Sequence, residues 1–353
     1  MNWFHSLSPA TQAAACFTSI SVIKIVCVFA VVMGAVAYAV LAERKVSACI
    51  QDRHGPNRVG PFGILQPVAD GVKAFLKEDF TPAHVRKAYF WLAPMITMIP
   101  ALLVLAVIPF GSQLGGEKMV IADLNVGILY TFGIVSLGVY GIVLAGYASN
   151  SKYPFLGGIR SSAQMISYEI AMGMSVIPVF LIVGDLNLGQ VIGYQAEHGW
   201  LILYAPLSFV IFVIAAFAET NRLPFDLPEA EQELVAGYNT EYSSMKFALF
   251  FMGEYANMIA ASGMMVTLFL GGWTLPLAGL DKPAGSIGLG LVHIAIFLAK
   301  VAALMGLFIW VRWMWPRFRY DQLMDLGWRR FLPLALANIM ATAIWLWLRA
   351  PGA

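Results

Sequence analysis

The stretch Ala218–Glu254, AETNRLPFDLPEAEQELVAGYNTEYSSMKFALFFMGE, lies between two long apolar segments. It carries Glu219, Asp226, Glu229, Glu231, Glu233, Glu241 and Glu254 against only Arg222 and Lys246. Seven of the 20 acidic residues therefore fall in about a tenth of a 353-residue chain that is 59% hydrophobic and 12% charged. Soluble domains carry roughly a quarter charged residues. A chain this poor in charge does not gather carboxylates beside apolar segments by composition alone.

Outward from that stretch, mostly apolar runs of membrane-spanning length recur to both ends, and the mean hydropathy is +0.74. The reading is an all-α integral membrane protein, a single polytopic domain over 1–353. Eight spans are predicted, at about 20–41, 89–110, 126–147, 161–183, 200–218, 246–271, 289–311 and 331–349. The first has no basic segment before it and is stopped by Glu43-Arg44-Lys45, which reads as a retained span, not a signal peptide. Of the 22 Lys and Arg residues, 17 fall in the loops after spans 1, 3, 5 and 7, and three fall on the opposite side. The excess places those four loops in the cytoplasm (or an organelle matrix) and both termini outside.

Cys16, Cys27 and Cys49 have no metal-ligand spacing, so no zinc, haem or iron–sulfur site is expected. The Gly158–Ser162 segment, with Gly157 and Arg160, reads as a turn opening span 4 and has no phosphate-loop fingerprint. The first inner loop is richer. Arg53-His54-Gly55-Pro56-Asn57-Arg58-Val59-Gly60-Pro61 combines turn formers with cations. After it, Leu65, Val68, Val72, Phe75 and Leu76 share one helical face, opposite Gln66, Asp70, Lys73 and Lys77, with Pro67 in the first turn. Such a helix lies in the membrane interface or packs under the bundle as scaffold.

Glu169 stands nine residues into span 4, ~12 Å from the border at the helical rise. A charge at that depth costs roughly 2.5–3.5 kcal/mol, so it is expected to face the bundle interior with partners, as a proton-handling site. Glu254 is similarly placed in span 6, and Lys300 in span 7 is a plausible counter-charge. Lys24 reads as snorkelling from a span end. Asp226 can cap a short helix with Glu229 in its first turn, while Glu229 and Glu233 share a face and Glu231 points elsewhere. A solvated acidic loop is the plain reading of that run. Its position between Glu219 and Glu254, with Leu223, Pro224, Phe225 and Leu227, favours folding back into apolar surroundings. Carboxylates gathered there would share protons.

Glu43-Arg44-Lys45, Gly55-Pro56-Asn57, Ser167-Tyr168-Glu169, the run Glu219 through Asp226, Glu229 through Leu234, Asn239-Thr240-Glu241-Tyr242 and Arg319-Tyr320-Asp321-Gln322 together resemble the H subunit of respiratory complex I, the proton-translocating NADH:quinone oxidoreductase. The likeness covers nearly the whole chain. It implies an eight-helix subunit that docks the peripheral arm and forms the mouth of a quinone chamber, using span 1, the interfacial helix and span 6. By that resemblance Arg44, Arg53, Asp70, Lys73, Arg222 and Phe225 would line or shape the quinone tunnel. Glu169, Glu219, Asp226, Glu229, Glu231, Glu233 and Glu254 would form a proton-linked acidic channel. Quinone is then the substrate, no metal is held, and flavin, iron–sulfur clusters and NADH belong to partner subunits. Partners are the peripheral-arm quinone-site subunits, small membrane-arm subunits and membrane lipid, with no nucleic acid, in a bacterial inner membrane rather than a mitochondrial one. Alternatives are the related subunit of a membrane-bound hydrogenase or formate hydrogenlyase, an autonomous ion-coupled transporter, and a non-catalytic anchor for the peripheral arm.

Overall fold

The computed structural model describes residues 9–227, 235–276 and 279–349. The chain is almost wholly helical. Helix α1 (Pro9–Ile50) runs 42 residues, ~63 Å at the helical rise against a bilayer core of ~30 Å, and so extends past the predicted span 20–41 at both ends. The loop after it turns tightly. Gly60 and Gly63 take positive φ, and a Cβ on Gly63 would lie 2.1 Å from the Pro56 carbonyl oxygen. Lys45 Nζ donates to the Phe62 carbonyl at 2.5 Å, tying the loop back to α1.

Helix α2 (Gln66–Leu76) follows the predicted amphipathic pattern, with Pro67 in its first turn. Leu65, Val68, Val72, Phe75 and Leu76 are all exposed, as an apolar face laid against lipid would be. The opposite face is tied down: Gln66 donates to Asp70 at 3.0 Å, and Arg44 of α1 reaches Asp70 at 2.8 Å.

Helices α3 (Lys87–Leu103), α4 (Gly127–Ala148), α5 (Lys152–Val183), α7 (Pro206–Glu219), α8 (Ser244–Phe269) and α9 (Ile287–Met314) form the body, with α6 (Leu188–His198) between α5 and α7. The chain ends in α10 (Tyr320–Asp325), which passes through a π-helical turn at Leu326–Phe331 into α11 (Leu332–Arg349). Among the described residues six segments are long and apolar enough to cross a membrane: Phe17–Ile50, Lys87–Ala106, Gly127–Ala148, Lys152–Val183, Ile287–Met314 and Tyr320–Arg349. Pro206–Glu219 is a shorter apolar helix.

Local structure departs from the expected pattern in three places. Gln113–Leu114 and Glu117–Lys118 pair as a two-residue hairpin, because Gly115 and Gly116 both take the positive φ that a tight hairpin turn needs. Helix α6 is absent from the sequence expectation; Asn187 starts it by accepting from the Gly189 and Gln190 amides at 2.7 and 3.3 Å. The segment read as a turn at Gly158–Ser162 is continuous helix, since α5 begins at Lys152. Its glycines serve packing. α5 lies against α4, α7 and α11, and α3 against α4 and α8. A Cβ on Gly146 of α4 would lie 2.6 Å from the Pro154 carbonyl, and one on Gly157 would lie 2.9–3.0 Å from the backbone of Gly237 and Tyr238. Small residues allow this approach of backbones in membrane helices. Replacing Gly157 by Val is therefore expected to destabilise the fold by about 1–3 kcal/mol, read as a lower thermal midpoint of the purified protein. An unchanged midpoint would show that the turn at Gly237 yields freely.

Candidate functional site

The end of α7 is fixed by one glutamine. Gln164 of α5, fully buried, donates to the carbonyl of Ala218 at 2.7 Å, the side chain of Asn221 at 3.2 Å and the carbonyl of Phe225 at 2.8 Å. Asn221 takes φ +50 and the Leu223–Pro224 bond is cis. The Phe225 ring packs on Tyr168 and Phe318, with centroids 5.4 Å from each. The acidic loop thus folds back into the protein through Leu227, which is 1% exposed. Glu229, Glu231 and Glu233 lie outside the described residues, as does most of the short helix expected after Asp226.

This fold directs Arg222 inward. Its Nη1 donates to Glu43 of α1 at 3.1 and 3.3 Å, its Nε stands 2.6 Å from Glu254 of α8, and its guanidinium lies over the Tyr255 ring at 4.4 Å. Glu43 also accepts from the Tyr255 hydroxyl and from Arg312 of α9. Two carboxylates and two guanidiniums balance in a pocket where Glu43 is 5% exposed and Arg222 8%. Burial works against the charge of Arg222, but Glu254, Tyr255 and Glu43 hold its pKa above the ordinary arginine value. Asp226, outside the helices, pairs with Arg317 at 3.1 Å, and burial nonetheless pushes its carboxyl above the usual range. Sequence reading selects Arg222, Asp226 and Glu254 but treats Glu43 as a stop signal and Arg312 as a loop cation. It gives no role to Gln164.

Two concave regions flank this cluster. The first, about 740 Å³, lies between α1, α2 and the start of α8, with walls of Met33, Val36, Ala37, Phe75, Phe247 and Met252. Arg44, Asp70 and Lys73 stand on its rim side. Its walls are tied together: Ser244 donates to the Ala74 and Lys77 carbonyls at 3.0 Å each, and Lys246 pairs with Asp79 at 2.9 Å. The second, about 420 Å³, is polar and is lined by Glu43, Arg44, Arg53, Tyr255, Arg312 and Trp313. The two share Val40, Arg44 and Phe251, so an apolar groove adjoins a polar recess backed by the buried ion pairs. Arg44, Arg53, Asp70 and Lys73 are among these linings; Arg222 stands behind Glu43, and Phe225 is packed elsewhere.

The remaining carboxylates lie deeper. Glu219, at the end of α7, lines a small cavity with Met172, Phe212, Thr220, Asn257 and Met264. Glu169 of α5 is close enough for the two charges to interact. Glu241 faces His84 at 3.8 Å. Lys300 does not act as the expected counter-charge to a carboxylate: it donates to the carbonyls of Leu270, Gly272 and Thr274 at 2.6, 2.9 and 2.6 Å, the C-cap of α8 and the turn that follows it. His293, on the same face, bonds Ser112 at 2.7 Å. Lys24 pairs with Glu117 at 3.3 Å instead of merely snorkelling. Among the described residues no His, Cys, Asp and Glu group is arranged to hold a metal ion.

Comparison with known proteins bears on this arrangement. The family model described as NADH dehydrogenase matches residues 23–343. The H subunit of the NADH-quinone oxidoreductase of Paramagnetospirillum magneticum is 52% identical over 326 residues, covering 92% of this chain and 91% of that one. The H subunit of the Rhodospirillum rubrum enzyme is 51% identical over 326 residues, covering 92% and 93%. An H subunit of the NADH-quinone oxidoreductase of Cytophaga hutchinsonii is 49% identical over 327 residues, covering 91% and 94%. With a helical membrane fold and matches of this extent, the chain belongs to the NADH dehydrogenase family, among the relatives of the H subunit of NADH-quinone oxidoreductase.

Proposed function

We propose that the chain is the quinone-binding and coupling membrane subunit of a proton-translocating NADH:quinone oxidoreductase. The groove between α1, α2 and α8 admits the quinone, its apolar tail staying among Met33, Val36, Phe75 and Met252 while its head enters the recess at Arg44, Arg53 and Tyr255. One observation carries this reading: an apolar groove and a polar recess lie side by side and share Val40, Arg44 and Phe251 in their walls. A quinone has the same division, an apolar chain and a head whose carbonyl oxygens accept hydrogen bonds, which the arginines Arg44 and Arg53 can donate. The Arg44–Asp70 bridge, with both side chains more than a third exposed, is worth under about 1 kcal/mol and can open to a passing head group.

The carboxylates Glu169, Glu219, Asp226, Glu229, Glu231, Glu233 and Glu254 carry the proton-linked response. Reduction of the quinone draws protons and alters charge beside the Glu43–Arg222–Glu254 cluster, and the acidic loop passes that change on. Pro206–Glu219 and Ser244–Phe269 complete eight spans with the six apolar segments named above. The inner loops, with their excess of Lys and Arg, dock the peripheral arm on the cytoplasmic side of a bacterial inner membrane. NADH, flavin and iron–sulfur clusters are held by partner subunits there.

The groove is tested by filling it in the assembled complex. A Cβ added to Gly71 of α2 would meet no atom within 4 Å, and Gly71→Trp and Ala37→Trp place an indole on facing walls of the groove. The expected result is a rise in quinone KM of about tenfold or more with NADH oxidation by a small artificial acceptor unchanged. Unaltered quinone kinetics in both variants would overturn the assignment.

A further inference from the structure

We propose that a zwitterionic phospholipid of the outer leaflet binds in the cleft behind the outer half of α1, one acyl chain along its apolar wall and the headgroup on Lys24 and Glu117. The cleft encloses about 490 Å³, within the roughly 300–1,000 Å³ typical of small-molecule sites. Its walls are Val28 and Val31 of α1, Ile108, Gly263 of α8, and Phe297 and Val301 of α9. Lys24 and Glu117 are the charged residues among its lining. It is separate from the inner groove, which lies farther along α1 against α2.

Depth assigns the two ends. Lys24 and Glu43 are 19 residues apart on one helix, about 28 Å, close to the thickness of a bilayer core. With Glu43 at the inner border, Lys24 stands at the outer headgroup level and the cleft below it at acyl-chain depth. An apolar cleft at that depth is filled by a chain as apolar as its walls. α1 leaves it open on the lipid side, since 17% of the most apolar window of this helix is buried.

The mouth selects the headgroup. Lys24 Nζ uses two of its three donors on Glu117 at 3.3 Å and the Lys118 carbonyl at 3.0 Å. The third is left for a phosphate oxygen. Glu117 is half exposed, with a side chain 54% accessible, and offers its free carboxylate lone pairs to a headgroup ammonium. A cation and an anion side by side complement a phosphate and an ammonium side by side, as in phosphatidylethanolamine. A purely anionic headgroup would meet the Glu117 charge.

The test uses the whole complex, purified in mild detergent from membranes containing phosphatidylethanolamine and phosphatidylglycerol, with bound lipid counted by mass spectrometry. Val28→Trp, which fills the cleft, is expected to retain one phosphatidylethanolamine fewer per complex. Glu117→Gln, an exposed change that spares folding, is expected to shift the retained lipid toward phosphatidylglycerol. Cys27, a free and exposed cysteine that lines the cleft, carries a photo-crosslinker in a chain with Cys16 and Cys49 replaced by Ser. Its expected adduct is a phospholipid. Unchanged lipid content and type in both variants would overturn the proposal, as would a Cys27 adduct to a protein subunit or to quinone.

Discussion

Arg222→Met is expected to destabilise the protein by about 3–5 kcal/mol, the usual consequence of removing one partner from a buried ion pair. The guanidinium links α1 and α8 through charge, beside the Tyr255–Glu43 hydrogen bond: Nη1 reaches Glu43 and Nε reaches Glu254. Glu43 keeps Arg312 and Tyr255 after the substitution, while Glu254 loses a cation 2.6 Å away. Arg222→Lys keeps the charge but not the fork that spans both carboxylates, and is expected to recover only part of the loss. Arg222→Met combined with Glu254→Gln removes cation and anion together, and is expected to be more stable than Arg222→Met alone. The measurement is the thermal midpoint of the purified complex, with the amount of this subunit in the membrane as a second readout. A midpoint for Arg222→Met equal to that of the parent would show that the cluster contributes nothing to holding α1 against α8.

Much of the helical layout is legible in the sequence because a bilayer leaves the backbone few options. Each spanning segment must satisfy its own hydrogen bonds, so a long apolar run reads as a helix. The pattern of α2 is legible for a related reason: five apolar residues on one face have nowhere to go but the membrane surface or the bundle. What escapes reading are features whose signal is short or ambiguous. Gly157 and Gly158 favour turns in water, yet in α5 they permit close approach of backbones, and composition does not distinguish those uses. Helix α6 is 11 residues long and announces itself only through Asn187 as its cap. The hairpin at Gly115-Gly116 is shorter still.

The candidate site is legible at Arg222, Asp226 and Glu254 but not as an assembly. Glu254 and Arg222 draw notice as charges near apolar segments, and their pairing follows from the same cost of burial that makes them notable. Glu43 is 179 residues from Arg222, and no local pattern links two residues that far apart. Lys300 shows the converse. An intramembrane lysine requires a partner, and a carboxylate is the obvious one. Three backbone carbonyls, at the C-cap of α8 and in the turn after it, satisfy it equally well, each supplying an acceptor for one ammonium hydrogen. Lys24, likewise, has its partner in a hairpin 93 residues away in sequence.

Glu219→Gln is expected to lower quinone-linked proton translocation by roughly tenfold or more, equivalent to about 1.4 kcal/mol or more on the limiting barrier. The substitution keeps the size of the side chain and its capacity to accept a hydrogen bond, so α7 and the Gln164 staple beneath it are preserved. It removes the one property a relay needs, the ability to hold a proton and release it. Glu219 is suited to that task by position. It ends α7, lines a small cavity with Thr220 and Asn257, and lies near enough to Glu169 for their charges to interact. Two carboxylates coupled in that way titrate as a pair, so a change at one alters proton occupancy at both. Glu169→Gln is therefore expected to act in the same direction, and the double substitution to add little to either single one. Glu219→Asp retains a titrating group and is expected to keep part of the transport. NADH oxidation by a small artificial acceptor, which bypasses the membrane arm, should be unchanged throughout, and the amount of this subunit in the purified complex reports assembly. Full proton translocation in Glu219→Gln, with normal quinone reduction, would show that protons reach the membrane arm without this pair.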